Sequence, residues 1–226
     1  MTPLSPRLNM AASMVPLGLG LADIGTDHAY LPVSLVMNGT VPYAIAADLR
    51  EGPLKNAQDT IAKAGLSEKI DTVLSDGLSA DVLKSYSSFS ICGMGGNLMV
   101  DILSAAPWIK KDGTHLVLQP QTHAEDVRQY LFDNGFEIIR EDAVEDDGRT
   151  YIAIEAGWTG RKTEYRLSDC YIGELGKCTS PARLNYFNHV LGRLNNRRNG
   201  ISANPELRNE VSMLDDIIRE IERCIN

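Results

Sequence analysis

No apolar segment of this 226-residue sequence approaches the roughly 20 consecutive residues that a membrane-spanning helix requires. The fairly apolar stretch 10–22 follows Arg7, as in a secretory signal, but Ser13, Pro16 and two glycines interrupt it. Cleavage near the end of that stretch would also cut into the loop that contains Asp23. We therefore expect neither a membrane anchor nor a signal peptide, and we predict a cytoplasmic protein.

Cysteine is also scarce, and none of the four cysteines forms a Cys-x-x-Cys pair. A chain of this length does not need disulfides for stability, so we expect free thiols in a reducing compartment. A zinc site built from Cys170, Cys178 and His189 would have spacings that match no usual ligand pattern. We therefore predict that the chain binds no metal.

The glycine-rich fingerprint Gly-x-Gly-x-x-Gly of dinucleotide-binding loops is missing too. In its place, residues 21–32 read LADIGTDHAYLP, which is a short apolar run ending at Asp23, then Gly25 and a polar turn. Asp48 ends a second apolar run 25 residues later. A glycine lets the backbone approach a ligand, and an acid at this distance accepts the two ribose hydroxyls. Without further glycines to hold a pyrophosphate, the pattern favours a nucleoside such as S-adenosylmethionine.

Apolar runs alternate with amphipathic stretches as far as residue 156, which predicts βαβ units and a mostly parallel sheet. The expected strands lie near 20–25, 43–48, 70–75, 88–93, 114–119, 136–141 and 151–156. The expected helices lie near 29–38, 51–64, 95–106 and 122–134. The segment 142–150 is too short for a crossover helix, so the last two strands should form an antiparallel hairpin. The predicted class is α/β, with a seven-stranded Rossmann-like class I methyltransferase sheet.

Residues 1–160 are predicted to form the methyltransferase domain and 161–226 a helical coiled-coil domain. The coiled-coil prediction depends on two series of apolar residues with heptad spacing. One series is Leu184, Phe187, Leu191 and Leu194, and the other extends from Leu207 to Ile225. The sequence GISANP (200–205) separates them with a helix-ending glycine and an Asn-Pro turn. The short break favours an antiparallel hairpin within the chain, and pairing between chains is the alternative. We expect a monomer or a weak dimer.

The net charge of −8 argues against a nucleic-acid partner, but the charge is unevenly distributed. Residues 1–160 contain 11 Lys and Arg and 21 Asp and Glu, whereas residues 161–226 contain 11 and 9. Four arginines of the second part lie within sixteen positions that include no acid: Arg183, Arg193, Arg197 and Arg198. They are either an RNA-binding stripe or a solvated helix face.

Three strand ends supply the predicted cofactor site. Asp48, followed by Leu49, is expected to bind the ribose, with a helix N-cap as the alternative role. Asp76 is expected to accept from the adenine amino group while Gly77 makes room for the ring, and a plain Asp-Gly turn is the alternative. Gly93 belongs to ICGMGG, whose three glycines indicate close backbone approach beside the first loop. Cys92 either faces this pocket or is buried in the core.

The first loop and the segment before it supply the candidates for contact with the methyl acceptor. Asp27 either caps the following helix or stabilises positive charge on the acceptor. His28 is expected to be a hydrogen-bond donor near the cofactor and not a base, and Tyr30 either stacks on a base or packs. Arg7 lies on a short amphipathic helix and is either a surface charge or a residue over the pocket. GMGG has no side chain that accepts from an exocyclic amine, which argues against methylation of that nitrogen.

The motifs DIGTDHAYLP (23–32) and GMGG (93–96), with Asp48, SDGL (75–78) and the opening LSPRLNMAASMVP (4–16), resemble the bacterial tRNA adenine-22 N1-methyltransferases, the TrmK family. The resemblance extends over nearly the whole chain. It implies S-adenosylmethionine as cofactor, tRNA as partner and a C-terminal coiled-coil domain. Because N1 of adenine has a lone pair, the implied reaction is a direct displacement that needs no strong base.

The resemblance also implies roles for individual residues. Asp27 would favour the positive charge that develops on the ring, and Tyr30 and Met94 would offer stacking surfaces to a base turned out of its helix. Arg7 would contact that base or its phosphate, and the four tail arginines would bind phosphates.

Three other functions compete with tRNA methylation. A small-molecule methyltransferase would keep the cofactor site, and the net charge favours it, but the basic tail does not. An NAD-dependent oxidoreductase would need the missing glycines. A non-catalytic RNA-binding or scaffolding protein would have no affinity for S-adenosylmethionine.

Overall fold

The computed structural model describes residues 3–225 and contains one seven-stranded sheet, as the sequence predicts. The strand order is β3-β2-β1-β4-β5-β7-β6, and the first five strands along the chain pair in parallel. The last two strands form the expected antiparallel hairpin at the sheet edge. The strands are β1 (Leu21–Ile24), β2 (Ala44–Asp48), β3 (Ile70–Leu74), β4 (Ser88–Met94), β5 (His115–Pro120), β6 (Phe136–Asp146) and β7 (Arg149–Trp158).

Helices cover both faces of the sheet, which explains why the central strands are apolar on both sides. They are α1 (Pro6–Ala12), α2 (Tyr30–Met37), α3 (Glu51–Lys63), α4 (Gly96–Ser104) and α5 (Ala124–Asp133). On one face, α4 and α5 bury Met99, Leu103 and Leu131 against the strands. On the other face, α1, α2 and α3 bury Met10, Leu35 and Ile61. The two cores fix the carboxyl ends of the parallel strands along one rim.

The chain after the sheet folds into α6 (Leu167–Ile172), α7 (Ala182–Ile201) and α8 (Arg208–Ile225). The predicted antiparallel hairpin is α7 with α8, and Phe187, Leu194, Leu214 and Ile221 are buried between them or against the sheet. Its core continues into the sheet through Ala143 of β6 and Ile152 of β7. Within residues 3–225, no helix is long and apolar enough to cross a membrane.

Two details of the predicted hairpin are wrong. Leu184 is 37% exposed, because Val190 and not Leu184 faces the core beside Phe187. Gly200 does not end α7, which continues to Ile201. The predicted Asn-Pro turn is confirmed, because the Asn204 side chain accepts from the backbone N–H of Glu206 at 3.0 Å and starts the next turn. The sequence also gave no helical signal for α6, which is only six residues long.

Candidate active site

Asp48 closes β2 with a buried carboxylate that faces the rim. Its exposed fraction is 8%, and its Oδ1 accepts from the backbone N–H of Arg50 at 2.8 Å. Arg50 is the N-cap of α3, so the alternative role of Asp48 as the cap is wrong. No hydrogen bond to Oδ2 occurs within the described part of the chain. One oxygen of this carboxylate is therefore available to accept from a ligand hydroxyl.

Asp23 lies in the neighbouring strand β1, beside Ala46 of β2. The Ser90 hydroxyl of β4 donates to its Oδ1 at 2.6 Å. Burial raises the pKa of Asp23 to about 6, against hydrogen bonds from Ser90 and Thr26 that lower it. A cationic group placed beside this carboxyl would stabilise its charged form. Asp23 and Asp48 thus bring two acids to adjacent strand ends, as predicted.

Gly25 turns the chain from β1 into the loop with a φ of +77°. The backbone N–H groups of Gly25 and Thr26 both donate to the Ala47 carbonyl, at 2.8 and 3.0 Å. A Cβ on Gly25 would lie 1.9 Å from the Met94 Cε atom. The first loop and the β4 turn therefore face each other across a narrow crevice, which the Met94 side chain spans.

His28 and Tyr30 form an aromatic pair at the mouth of this loop. Their rings stack with centroids 5.1 Å apart and planes 14° apart, and Tyr30 is 40% exposed. The Asp27 carboxylate is mostly exposed and lies 3.5 Å from His28 Nε2. Asp27 does not cap α2, because the Thr26 hydroxyl accepts the Ala29 N–H at 3.2 Å instead. Asp27 is therefore free to face a bound substrate.

Arg7 lies directly over the Gly93 turn. Its Nη1 is 3.4 Å from the position that a Cβ on Gly93 would take, and it donates to Gln119 Oε1 at 3.3 Å. The same Gln119 oxygen accepts the Gly93 N–H at 3.1 Å. Asp146, at the tip of the β6–β7 hairpin, holds Arg7 from the other side, with Nε and Oδ2 3.9 Å apart. Gln119 and Asp146 were not predicted from the sequence, because neither belongs to a local motif.

Gly77 and Gly96 each lie against a neighbouring element of the fold. A Cβ on Gly77 would lie 2.9 Å from Ile102 of α4, so Gly77 makes room for that helix, and its place beside the adenine ring stays a prediction. Gly96, the last glycine of GMGG, approaches the backbone of His123, whose carbonyl oxygen would be 2.2 Å from a Cβ. Asp76 is exposed beside Gly77 and lines a shallow cleft with Leu98 and Asp101. Leu49 is 63% exposed next to Asp48.

Cys92 is half-buried against the core on the α1 and α2 face of the sheet. Burial raises the pKa of its thiol, and the charge of the nearby Asp23 raises that pKa further. The positive charge of Arg7 lowers it by a smaller amount. All four cysteines are free. Residues 3–225 contain no group of three or more His, Cys, Asp or Glu side chains that would hold a metal ion.

Comparison with known proteins shows which family the chain belongs to. A family model of methyltransferase domains matches residues 4–154. The tRNA (adenine(22)-N(1))-methyltransferase of Bacillus subtilis is 37% identical over 156 residues, which are 68% of this chain and 66%, just under two thirds, of that relative. The crystal structure of the B. subtilis enzyme superimposes with a TM-score of 0.89 at 29% identity, covering all of both chains.

A Streptococcus pneumoniae protein solved in complex with S-adenosyl-L-methionine is also similar. It is 30% identical, with a TM-score of 0.82, and the match covers 99% of this chain and 100% of that one. The chain belongs to the TrmK family. The match to full-length TrmK structures includes the helical tail as well as the sheet.

The tail of this TrmK family member presents its arginines differently from the predicted stripe. Arg193 pairs with Glu125 at 2.9 Å, Arg197 with Glu210 at 2.7 Å, and Arg198 with Asp215 at 2.9 Å. Arg183 Nη1 donates to the Cys224 carbonyl at 3.4 Å. These partners lie on α5 and α8, outside the segment 183–198. Because that segment itself contains no acid, the sequence did not indicate that its arginines would be paired.

Proposed function

We propose that this chain transfers the methyl group of S-adenosylmethionine to N1 of adenine 22 in tRNA. The observation that carries the proposal is the buried Asp48 carboxylate, with one oxygen unclaimed, beside Asp23 and the Gly25 loop. The activity is the one named for the B. subtilis relative, to which this chain is 37% identical.

The residues of the crevice fit S-adenosylmethionine, which supplies an electrophilic methyl group on a sulfonium. Asp48 is placed to accept from the ribose hydroxyls, and Leu49 offers an exposed apolar surface to the adenine beside Asp76. Asp23 is placed to hold a cationic amino group. Gly25 and Gly93 bring backbone to the crevice at positive φ, where a side chain would be strained, and His28 lies at its mouth.

The acceptor side of the crevice positions the base and does not deprotonate it. The N1 lone pair attacks the methyl carbon and the sulfur leaves with its bonding pair, so no proton must be removed. Tyr30, stacked on His28, and Met94 offer faces to a base turned out of the tRNA. Asp27 favours the positive charge on the methylated ring, and Arg7 is placed to contact the base or its phosphate.

The two parts of the chain have different roles in this proposal. Residues 1–160 carry out methyl transfer, and residues 161–226 form a coiled-coil domain that holds the tRNA. Arg183, Arg193, Arg197 and Arg198 would exchange their present partners for phosphates. The protein would work as a monomer or weak dimer in the cytoplasm, where tRNA is present and free cysteines persist.

The test is labelled methyl transfer from S-adenosylmethionine to unmodified tRNA, followed by nucleoside analysis. We expect 1-methyladenosine, and none when position 22 is changed to guanosine. Binding of S-adenosylmethionine without methylation of any tRNA would contradict the proposal and leave a small-molecule methyltransferase.

A further inference from the structure

A second concave surface lies between the sheet and the tail, with a volume of about 500 Å³. We call it the hairpin–tail cleft. Its walls are the loop after β5, the tip of the β6–β7 hairpin and one face of α7, and it is lined by residues of 120–125, 148–150 and 186–193. None of these elements alone would form it, so its shape depends on how the tail is attached to the sheet.

The cleft adjoins the candidate active site through the loop after β5. Gln121 and Thr122 line the cleft, and their other side backs the GMGG turn. The Gln121 N–H donates to the Met94 carbonyl at 2.8 Å, and the Thr122 hydroxyl is 3.2 Å from the position that a Cβ on Gly95 would take. A strand of RNA with one base at Met94 therefore has a neighbouring nucleotide within reach of the cleft.

The lining of the cleft suits a nucleobase. Pro120, Ala124 and Val190 provide an apolar floor, and Tyr186 adds aromatic surface. The exposed side chains of Thr122, His123 and His189 surround that floor with hydrogen-bonding groups. An apolar floor with a few polar groups at its edge binds a flat heterocycle and reads its edges.

The charges around the cleft leave one cation for a phosphate. Glu125 is paired with Arg193, and Asp146 is paired with Arg7. Glu145 accepts from the Thr150 hydroxyl at 2.6 Å and from Asn185 at 3.1 Å. Asp147 is exposed but does not line the cleft, whereas Arg149 lines it and has no ion pair among residues 3–225. Arg149 is thus the one arginine of the cleft lining that has no ion pair in the described part of the chain.

We propose that the hairpin–tail cleft binds a nucleotide that flanks the methylated adenine in the tRNA. Its base lies on the floor formed by Pro120 and Val190, and its phosphate meets Arg149. This inference rests on the proposed function and deepens it, because it assigns the cleft to a second nucleotide of the same substrate. Binding there would hold the RNA strand open on one side of the target base.

Arg149→Ala tests the phosphate contact, and Arg161→Ala is the matched control. Arg161 is also exposed and has no ion pair in the described structure, but it lies where β7 leaves the sheet, away from the cleft. We expect Arg149→Ala to weaken tRNA binding roughly 5- to 10-fold and to reduce the salt slope by about one. Arg161→Ala should change neither, and both variants should bind S-adenosylmethionine like the wild type. Equal tRNA affinity of the two variants would overturn the proposal.

A synthetic tRNA with an abasic residue on either side of the target tests the base contact. One of the two substitutions should raise the dissociation constant for the wild type and have a clearly smaller effect on His189→Ala. A photoreactive thionucleotide at that same position should crosslink to peptides containing 120–125 or 186–193. Crosslinks that map only elsewhere would overturn the cleft proposal in an enzyme that still methylates tRNA. Failure of the wild type to methylate tRNA would instead overturn the proposed function.

Discussion

Asp48 shows how a single residue is set up for binding. Its carboxylate is buried at a strand end and only Oδ1 accepts a hydrogen bond, so Oδ2 can accept one from a ligand. We expect Asp48→Ala to raise the dissociation constant for S-adenosylmethionine by about 5- to 150-fold, which is the loss of about 1–3 kcal/mol of charge-assisted hydrogen bonding. Calorimetric titration measures it, with the exposed Asp71→Ala of β3 as control. An unchanged constant for Asp48→Ala would remove the ribose role.

Asp23 is expected to lower the stability of the protein at neutral pH. Burial raises its folded-state pKa to about 6 from 3.8, so the folded state binds the proton more tightly than the unfolded state. Stability from this group is therefore lost as the pH rises from about 4 to about 6. Asp23→Asn keeps an acceptor for Ser90. Its free energy of unfolding should exceed that of the wild type by about 2–3 kcal/mol more at pH 8 than at pH 4, as measured by denaturant unfolding. The same gain at both pH values would contradict this account.

The predicted positions that the structure confirms are those whose geometry is local. Asp23, Gly25 and Asp48 lie where strands end, and parallel strands bring their carboxyl ends to one rim whatever the packing elsewhere. Gly77 lies against Ile102 and Gly96 against the His123 backbone, and close approach has the same sequence signal whether the neighbour is a ligand or another element. The pairing of Arg7 with Asp146 joins residues 139 apart and leaves no local trace.

At the level of elements, one buried ion pair joins the tail to the sheet. Arg128 of α5 and Glu141 of β6 are fully buried and 2.7 Å apart. Arg128 also donates to the Cys170 carbonyl at 2.9 Å, and Glu141 accepts from the Leu175 N–H at 2.8 Å. The pair thus satisfies backbone groups of α6 and the turn after it.

Breaking one side of that pair leaves a buried charge without a partner. We expect Arg128→Met to lower the free energy of unfolding by about 3–5 kcal/mol. The double variant Arg128→Met with Glu141→Met should lose less than the sum of the two single variants, because no charge stays buried. Urea denaturation of all four proteins measures the coupling, and additive losses would show that the two side chains act independently.

The arginines of α7 give an element-level test of RNA binding. Arg197 and Arg198 are paired with acids of α8 across exposed surface, where ion pairs contribute little to stability. Arg197→Ala with Arg198→Ala should therefore leave the melting temperature within a few degrees and raise the Michaelis constant for tRNA. The salt dependence of that constant should also become flatter. If tRNA kinetics are unchanged, the arginines are solvated surface.

At the scale of the whole molecule, the tail and the sheet share one core. A chain ending at residue 160 would uncover Ala143 and Ile152 and remove the carbonyl partners of Arg128. We expect this truncation to lower the melting temperature, to retain S-adenosylmethionine binding where the protein is folded, and to lose tRNA methylation. Wild-type kcat/KM for tRNA in the truncated chain would contradict a role of the tail in RNA binding.

The alternation of strands and helices was enough to predict the sheet, because each βαβ unit is local and right-handed. The attachment of the tail was not predictable in the same way. It depends on Arg128, Glu141 and the short helix α6, whose contacts involve residues far apart in the sequence. The shape of the hairpin–tail cleft depends on that attachment, so the cleft could not be predicted from sequence patterns either.

The Met94 side chain, which bridges the two walls of the crevice, offers a spectroscopic use. Its terminal methyl group occupies the space next to Gly25, so any molecule entering there must displace it. A ¹³C-labelled methyl at this position would report occupancy through its NMR chemical shift, and assignment needs one Met94→Leu spectrum. Cofactor loading and arrival of the base could then be followed as separate signals in solution, without waiting for product.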